Sequence, residues 1–212
     1  DRLNKERELV GIYLSAHPLD EFSIVLEHVC NTKLEQLADK EALANIQEIT
    51  FGGIVTGIRN GQTKSGRPFG IIRMEDFSGA GELPLFGQDW MMFNSSFIEG
   101  TSLFIRAKIV PRQHQPDVLD LQIKTVELMA DVKDKLIEKI TFDIPLESLT
   151  SDIVEDLKVI AQDNPGNTDL YFNIYGPDNM KVQLMAHEMK ISVQKTLINY
   201  ISDHPEIKYS IN

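Results

Sequence analysis

Three kinds of hydrophobic pattern follow one another along the chain. In the first 46 residues, apolar positions recur at helical spacing. Leu3, Leu9, Val10, Tyr13 and Leu14 predict a helix from Asp1 to about Leu14, weakened by Gly11. Ser15-Ala16-His17-Pro18 ends it, because proline disfavours helical backbone in the residue before it. A second helix is predicted over Leu19–Val29 and a short third over Leu34–Leu43. This stretch, residues 1–46, reads as a helical connector rather than a domain.

From Ile49 the period changes to two, and five strands follow in order. The first, Ile49–Arg59, carries Gly52, Gly53 and Gly57, which predict strong bending or a bulge. Asn60–Arg67 is a polar, glycine-punctuated hairpin loop. Phe69–Asp76 is the second strand, Ser78-Gly79-Ala80-Gly81 a tight turn, and Glu82–Phe86 the third strand, placed at an edge by Pro84. Gln88–Phe93 breaks the alternation and predicts a short helix. Ser102–Pro111 is the fourth strand, with Leu103, Ile105 and Ile109 on one face, and Arg112–Asp117 is a turn. Val118–Met129 is the fifth, with Leu119, Leu121 and Ile123 inward; Val126 and Leu128 then fall on the other parity. Five strands with a helix between the third and fourth is the order of an OB-fold barrel, assigned here to residues 47–130.

After Ala130 helix and strand alternate. Asp131–Glu138 is predicted helical, Lys139–Ile144 a strand, and Thr150 or Ser151 caps a helix to about Gln162. Asn164–Asn167 is a loop. Asp169–Tyr175 and Met180–Ala186 form a hairpin around Gly176-Pro177-Asp178-Asn179. A helix over Ser192–Ser202 and a last strand over Ile207–Ile211 complete a small α+β domain, residues 131–212. The fold class is therefore multidomain: helical connector, all-β five-stranded barrel, small α+β domain.

Charge refines this division. The chain carries −11 overall, which argues against a dedicated high-affinity nucleic-acid binder. By region the balance is −4 for residues 1–46, −1 for 47–130 and −6 for 131–212, so any nucleic-acid site belongs in the middle region. No apolar run approaches the roughly 18 residues of a membrane span, and no membrane partner is expected. The polar start Asp1–Glu8 is unlike a signal peptide, and a chain beginning at Asp1 is expected to be a piece of a longer polypeptide. The single cysteine, Cys30, excludes an internal disulfide and fits a reducing cytoplasm.

No catalytic constellation emerges: there is no phosphate loop, nucleophile elbow or HExxH motif. Glu75 and Asp76 are adjacent carboxylates, but strand neighbours point to opposite faces and cannot share a metal without a bulge. The cations of the barrel are more informative. The first hairpin supplies Arg59, Lys64 and Arg67. The second strand adds Arg73, on the parity of Phe69 and Ile71. The fourth adds Arg106 and Lys108, and the following loop Arg112 and His114. An OB-fold binds oligonucleotides on strands two and three between the loops joining strands one to two and four to five. Phosphates need those cations, and unstacked bases need flat faces, for which Phe69 and Phe86 are the candidates. The competing reading is that both phenylalanines are partly core and the cations only solvate the barrel.

Two segments carry a family resemblance. Glu8-Leu9-Val10-Gly11-Ile12-Tyr13-Leu14-Ser15-Ala16-His17-Pro18-Leu19 resembles the segment joining the polymerase body to the OB domain in the bacterial DNA polymerase III alpha subunit family. Thr63–Gly70 followed by Met74–Gly79 resembles the same family's OB domain. The resemblance implies a non-catalytic C-terminal region of a replicative polymerase in the bacterial cytoplasm. Its OB domain would contact single-stranded template DNA, and its C-terminal domain would dock the tau subunit of the clamp loader among other replisome subunits. The longer protein would perform metal-dependent nucleotidyl transfer with carboxylates lying ahead of Asp1, using a divalent metal such as magnesium, with no cofactor in this piece. Gln88–Phe93 faintly resembles a sliding-clamp-binding peptide, but the spacing is wrong, and Trp90 and Phe93 read as core or barrel-bottom residues. Two alternatives remain: a protein-interaction scaffold with no DNA binding of its own, and an anticodon-reading OB domain, for which no synthetase motif follows the barrel.

Overall fold

The computed structural model describes residues 17–112, 115–177 and 180–211. The helix expected over Asp1–Leu14, and half of the Gly176–Asn179 turn, lie outside them. The chain divides into two compact units, one ending at Asp131 and the other beginning at Val132.

The first unit opens with short helices. Where one helix was expected over Leu19–Val29, a 3-10 turn at Asp20–Phe22 precedes α1 (Ser23–His28). The expected Leu34–Leu43 helix is likewise broken into a 3-10 turn, Leu34–Ala38, and α2 (Lys40–Leu43). Asp39 causes that break: its backbone leaves the helical region and its carboxylate accepts from the Ala42 N–H at 3.0 Å, capping α2.

The barrel follows as β1 (Ile49–Gln62), β2 (Pro68–Glu75), β3 (Ala80–Phe86), α3 (Gln88–Phe93), β4 (Ser102–Arg112) and β5 (Gln115–Leu128). Sheet order is β3-β2-β1-β4-β5, antiparallel throughout, with β3 an edge as Pro84 implied. This is the OB-fold arrangement, a partly open barrel. β1 serves both walls: Ile49–Ile54 pair with β4 and Ile54–Gln62 with β2. The change of partner is made at an irregularity between Val55 and Gly57. The parity slip read near Val126 is a second bulge. Arg106 pairs with Thr125 but Ala107 with Ile123, so Lys124 is the extra residue and Val126 returns to the core side.

Phe51, Ile72, Met74, Leu83, Leu103 and Ile105 fill the interior. Leu34, Leu37 and Leu43 join that core, so the connector closes the barrel. Hydrogen bonds fix it there. Asn31 and Thr50 exchange bonds, with Thr50 N–H donating to Asn31 Oδ1 at 2.8 Å and Asn31 N–H to Thr50 Oγ1 at 3.0 Å. The Leu34 N–H donates to Asp76 Oδ2 at 2.9 Å. At the other end α3 seats Trp90 and Phe93 against the core, as their place between the third and fourth strands suggested. The Trp90 ring lies directly over Gly70, where there is no side chain to displace it.

The second unit takes up the helix α4 (Met129–Leu136), which spans the boundary, and continues with β6 (Lys139–Pro145), α5 (Ser151–Asp163), β7 (Pro165–Tyr175), β8 (Lys181–Ile191), α6 (Lys195–Asp203) and β9 (Lys208–Ile211). Its sheet order is β8-β7-β6-β9, with β6 and β7 parallel and the other pairs antiparallel. Thr150 is the cap of α5, accepting from the Ile153 N–H at 3.3 Å. The expected loop at Asn164–Asn167 shrinks because β7 already starts at Pro165. Gly166 lets the backbone of Ile191 and Ser192 come close, and Ser192 N–H donates to Asn164 O at 2.8 Å. That pairing also delays α6 to Lys195. Phe142, Ile144 and Leu170 on the sheet are buried, as are Ile153, Leu157, Leu197 and Ile201 on the helices.

Gly70→Ala would force its methyl group into the half-buried Trp90 ring. Overpacking of this kind costs about 1–3 kcal/mol, and a correspondingly lower urea unfolding midpoint is expected. An unchanged midpoint would show that α3 moves aside freely.

Candidate nucleic-acid interface

Alternation along β2 and β3 decides which side chains face outward. Gly70, Ile72, Met74, Leu83 and Leu85 are buried, so Phe69, Ile71 and Arg73 on β2 and Glu82, Pro84 and Phe86 on β3 share the outer face. Register aligns them in rows. Gly61, Phe69 and Phe86 stand across the three strands, then Arg59, Ile71 and Pro84, then Gly57, Arg73 and Glu82. The two phenylalanine rings lie 6.2 Å apart, tilted by 36°. Phe86 is 51% exposed and Phe69 half-buried, so this pair is a surface platform rather than core.

The β1–β2 hairpin stands at one end of this face. Thr63 N–H donates to Arg67 O at 2.8 Å and Gly66 N–H to Thr63 O at 2.9 Å, and Gly66 takes φ +77°, which glycine tolerates. The Arg67 N–H also donates to Thr63 Oγ1 at 3.1 Å. This knot holds Lys64 and Arg67 out in solvent. Among the described residues, neither they nor Arg59 has an ion-pair partner. Arg73 reaches Glu75 only at 3.8 Å with both in contact with water, a weak pair.

A groove of about 770 Å³ separates this hairpin from the ends of β4 and β5, with Arg67 and Phe86 on one side and Arg112, Asp120 and Gln122 on the other. Arg112 forms a two-pronged bond with Asp120, Nε–Oδ2 at 2.8 Å and Nη2–Oδ1 at 2.9 Å, and its Nη1 donates to Gln115 Oε1 at 3.2 Å. Lys40 stands 3.8 Å from the same carboxylate. The guanidinium bonded to Asp120 holds that carboxyl below its usual range, and the carboxylate raises the pKa of the guanidinium in turn.

Two of the sequence candidates do not join this group. Arg106 and Lys108 lie on the wall made by β1, β4 and β5. Arg106 is held by Glu48 at 3.0 Å, approaches Glu127 at 3.9 Å, and packs over the buried Phe104 ring at 5.3 Å. Lys124 completes the cluster at 3.1 Å from Glu48, and these two cations, Lys124 first, hold the Glu48 carboxyl below its usual range. Lys108 pairs in register with Gln122. His114 lies outside the described residues. Conversely, sequence reading missed Asp120 and Gln115 in the groove and Lys40 beside Asp120. Gln115 lies within the predicted turn and Asp120 three residues past it, with no further signal, and Lys40 is brought in from the connector, 80 positions from Asp120.

The remaining polar features are structural. Asp76 accepts from Leu34 N–H, Ser78 N–H, Ser78 Oγ and Gly79 N–H, anchoring the β2–β3 turn. No cluster of metal-binding groups occurs among the described residues. Burial, then the charge of Asp76, pushes the Cys30 thiol up to about 12, far from a reactive thiolate. None of the described helices is long and apolar enough to cross a membrane.

The family model described as DNA polymerase III alpha subunit, C-terminal domain, matches residues 140–212. DNA polymerase III subunit alpha of Saccharopolyspora erythraea is 24% identical over 92% of this chain and 16% of its own length. That of Haemophilus influenzae is 25% identical over 82% of this chain and 14% of its own. That of Halalkalibacterium halodurans is 26% identical over 94% and 17%. The chain thus spans about a sixth of the length of the relatives it matches. Among solved structures, the mitochondrial single-stranded DNA binding protein Rim1 of S. cerevisiae aligns with 39% of this chain and 92% of its own, at 10% identity and a TM-score of 0.29.

The Arg112–Asp120 bond makes stability depend on pH. The folded carboxyl titrates below the unfolded one, near 3.9. Its contribution is therefore present above about pH 4 and lost as pH falls through the lower, folded value. Asp120→Asn is expected to lower the urea midpoint slightly at pH 7 and to differ less from the unsubstituted protein at pH 3. An equal difference at both values would mean that this bond does not couple to folding.

Proposed function

Taking as premise that the chain resembles the C-terminal region of the DNA polymerase III alpha subunit over most of its length, we propose that its barrel binds single-stranded DNA and its C-terminal unit docks a replisome protein. The observation that carries the first part is the outward-facing pair of exposed Phe86 and half-buried Phe69 beside Arg59, Lys64 and Arg67. Bases splayed from a single strand stack on such rings, and the cations meet the phosphates that join them. A duplex keeps its bases stacked inside and offers no face to Phe86. The near-neutral charge of the barrel makes this a weak hold, suited to a strand also held elsewhere by the rest of a polymerase.

The second part rests on the resemblance. The partner is the tau subunit of the clamp loader, and the −6 balance of residues 131–212 suits a protein contact better than DNA. The longer protein would synthesise DNA on a template in the cytoplasm, with magnesium held by carboxylates outside this chain. The scaffold reading keeps one observation in its favour, the pairing of Arg106 and Arg112 with carboxylates.

Fluorescence anisotropy of labelled single-stranded and duplex oligonucleotides at two salt concentrations separates these readings. Single-strand preference is expected, with a log–log salt slope of about −0.7 per phosphate contact. Lys64→Ala with Arg67→Ala should lower affinity and flatten that slope while leaving the unfolding midpoint in place. Phe69→Ala with Phe86→Ala should weaken binding by about 1–3 kcal/mol per base lost from the platform. Equal binding of duplex and single strand, or indifference to both double variants, would remove the barrel face as the site.

A further inference from the structure

The groove beside the phenylalanine platform holds its own competitor. Arg67 and Arg112 line the same groove as Phe86, yet of the two only Arg67 has no ion-pair partner among the described residues. Arg112 already has both prongs of its guanidinium on Asp120, at 2.8 and 2.9 Å, in the geometry with which it would grip a phosphate. Asp120 also faces Lys40 from the connector at 3.8 Å. The same three residues, with Phe86, Glu82 and Asp89, line a second hollow of about 190 Å³ where β3 and β5 fail to pair. The groove and this hollow together set Arg67, Arg112 and Lys40 against Glu82, Asp89 and Asp120.

We propose that Asp120 is an internal phosphate mimic that holds Arg112 in the empty groove and must be displaced before Arg112 contacts single-stranded DNA, which keeps the affinity of the barrel low. This deepens, and rests on, the single-strand reading of the barrel. The exchange replaces one carboxylate–guanidinium pair by one phosphate–guanidinium pair and leaves Asp120 with Lys40 as its remaining cation. Because one such pair is broken for each one made, Arg112 adds little net affinity. A strand held this way is released easily, as a template that must advance past a fixed site requires. Asp120, Arg112 and Lys40 act here as positioning and affinity-setting residues.

The test uses the 212-residue chain and fluorescein-labelled single-stranded oligothymidine, titrated at low and moderate salt. Asp120→Asn keeps the shape and a hydrogen-bond acceptor but frees the guanidinium. It is expected to bind about five-fold tighter at low salt, with a log–log salt slope steeper by about 0.7. Adding Arg112→Ala to Asp120→Asn should abolish both changes. Glu127→Gln, which removes the same charge beside Arg106 on the other wall, serves as the control and should change neither. If the unsubstituted protein binds and Asp120→Asn matches Glu127→Gln, the proposal is overturned while the single-strand reading stands. If Arg112→Ala fails to reverse the gain, the effect is bulk charge and the proposal is again overturned. If neither the unsubstituted protein nor Asp120→Asn binds at low salt, the single-strand reading falls and this inference with it.

Discussion

The barrel depends on one strand being shared by two walls. β1 must hydrogen-bond to β4 along its first half and to β2 along its second, and no regular strand does both. The chain meets this with an irregularity between Val55 and Gly57 and with glycines where neighbours crowd the strand. A Cβ at Gly53 would lie 2.6 Å from the Glu75 carbonyl oxygen, and one at Gly52 would strike the Met129 side chain. The bend these residues permit carries the far end of β1 out into the hairpin that presents Lys64 and Arg67. The scaffold that makes the core and the scaffold that displays the cations are thus one strand.

Around that strand the connector acts as structure rather than as a tether. Leu34, Leu37 and Leu43 complete the barrel core, and the Leu34 N–H binds the Asp76 carboxylate that organises the β2–β3 turn. Each buried leucine contributes on the order of 2 kcal/mol through burial, so the connector is a substantial part of what keeps this small barrel closed. Lys40 reaches the groove from the same segment, so the residues that stabilise the fold also set the electrostatics of its open side.

Cations that look alike in sequence separate into two kinds in space. Arg106 is immobilised by Glu48 and Glu127 over Phe104, while Lys64 and Arg67 project from a hydrogen-bonded turn without ion-pair partners among the described residues. Arg112 is intermediate: solvent reaches it, but a carboxylate already occupies it. Counting positive charges overstates the groove, because a guanidinium paired with a carboxylate offers a phosphate little net attraction.

Local pattern determined much of this protein. The order of the five strands, the short helix over Gln88–Phe93, the bend in the first strand and the edge position of Pro84 follow from side-chain period, glycine placement and the missing proline N–H, all properties of neighbouring residues. Alternation likewise placed Arg73 on the face of Phe69 and Ile71. Only the tertiary structure decided that Phe69 and Phe86 form a tilted pair on the outer face, that the connector enters the core, and that Asp39 and Ser192 shift helix boundaries by caps and backbone pairing. It alone decided which cations are occupied, because Glu48 meets Arg106 across 58 positions and Lys40 meets Asp120 across 80, and the register of strands that brings such residues together is written in no local stretch of sequence.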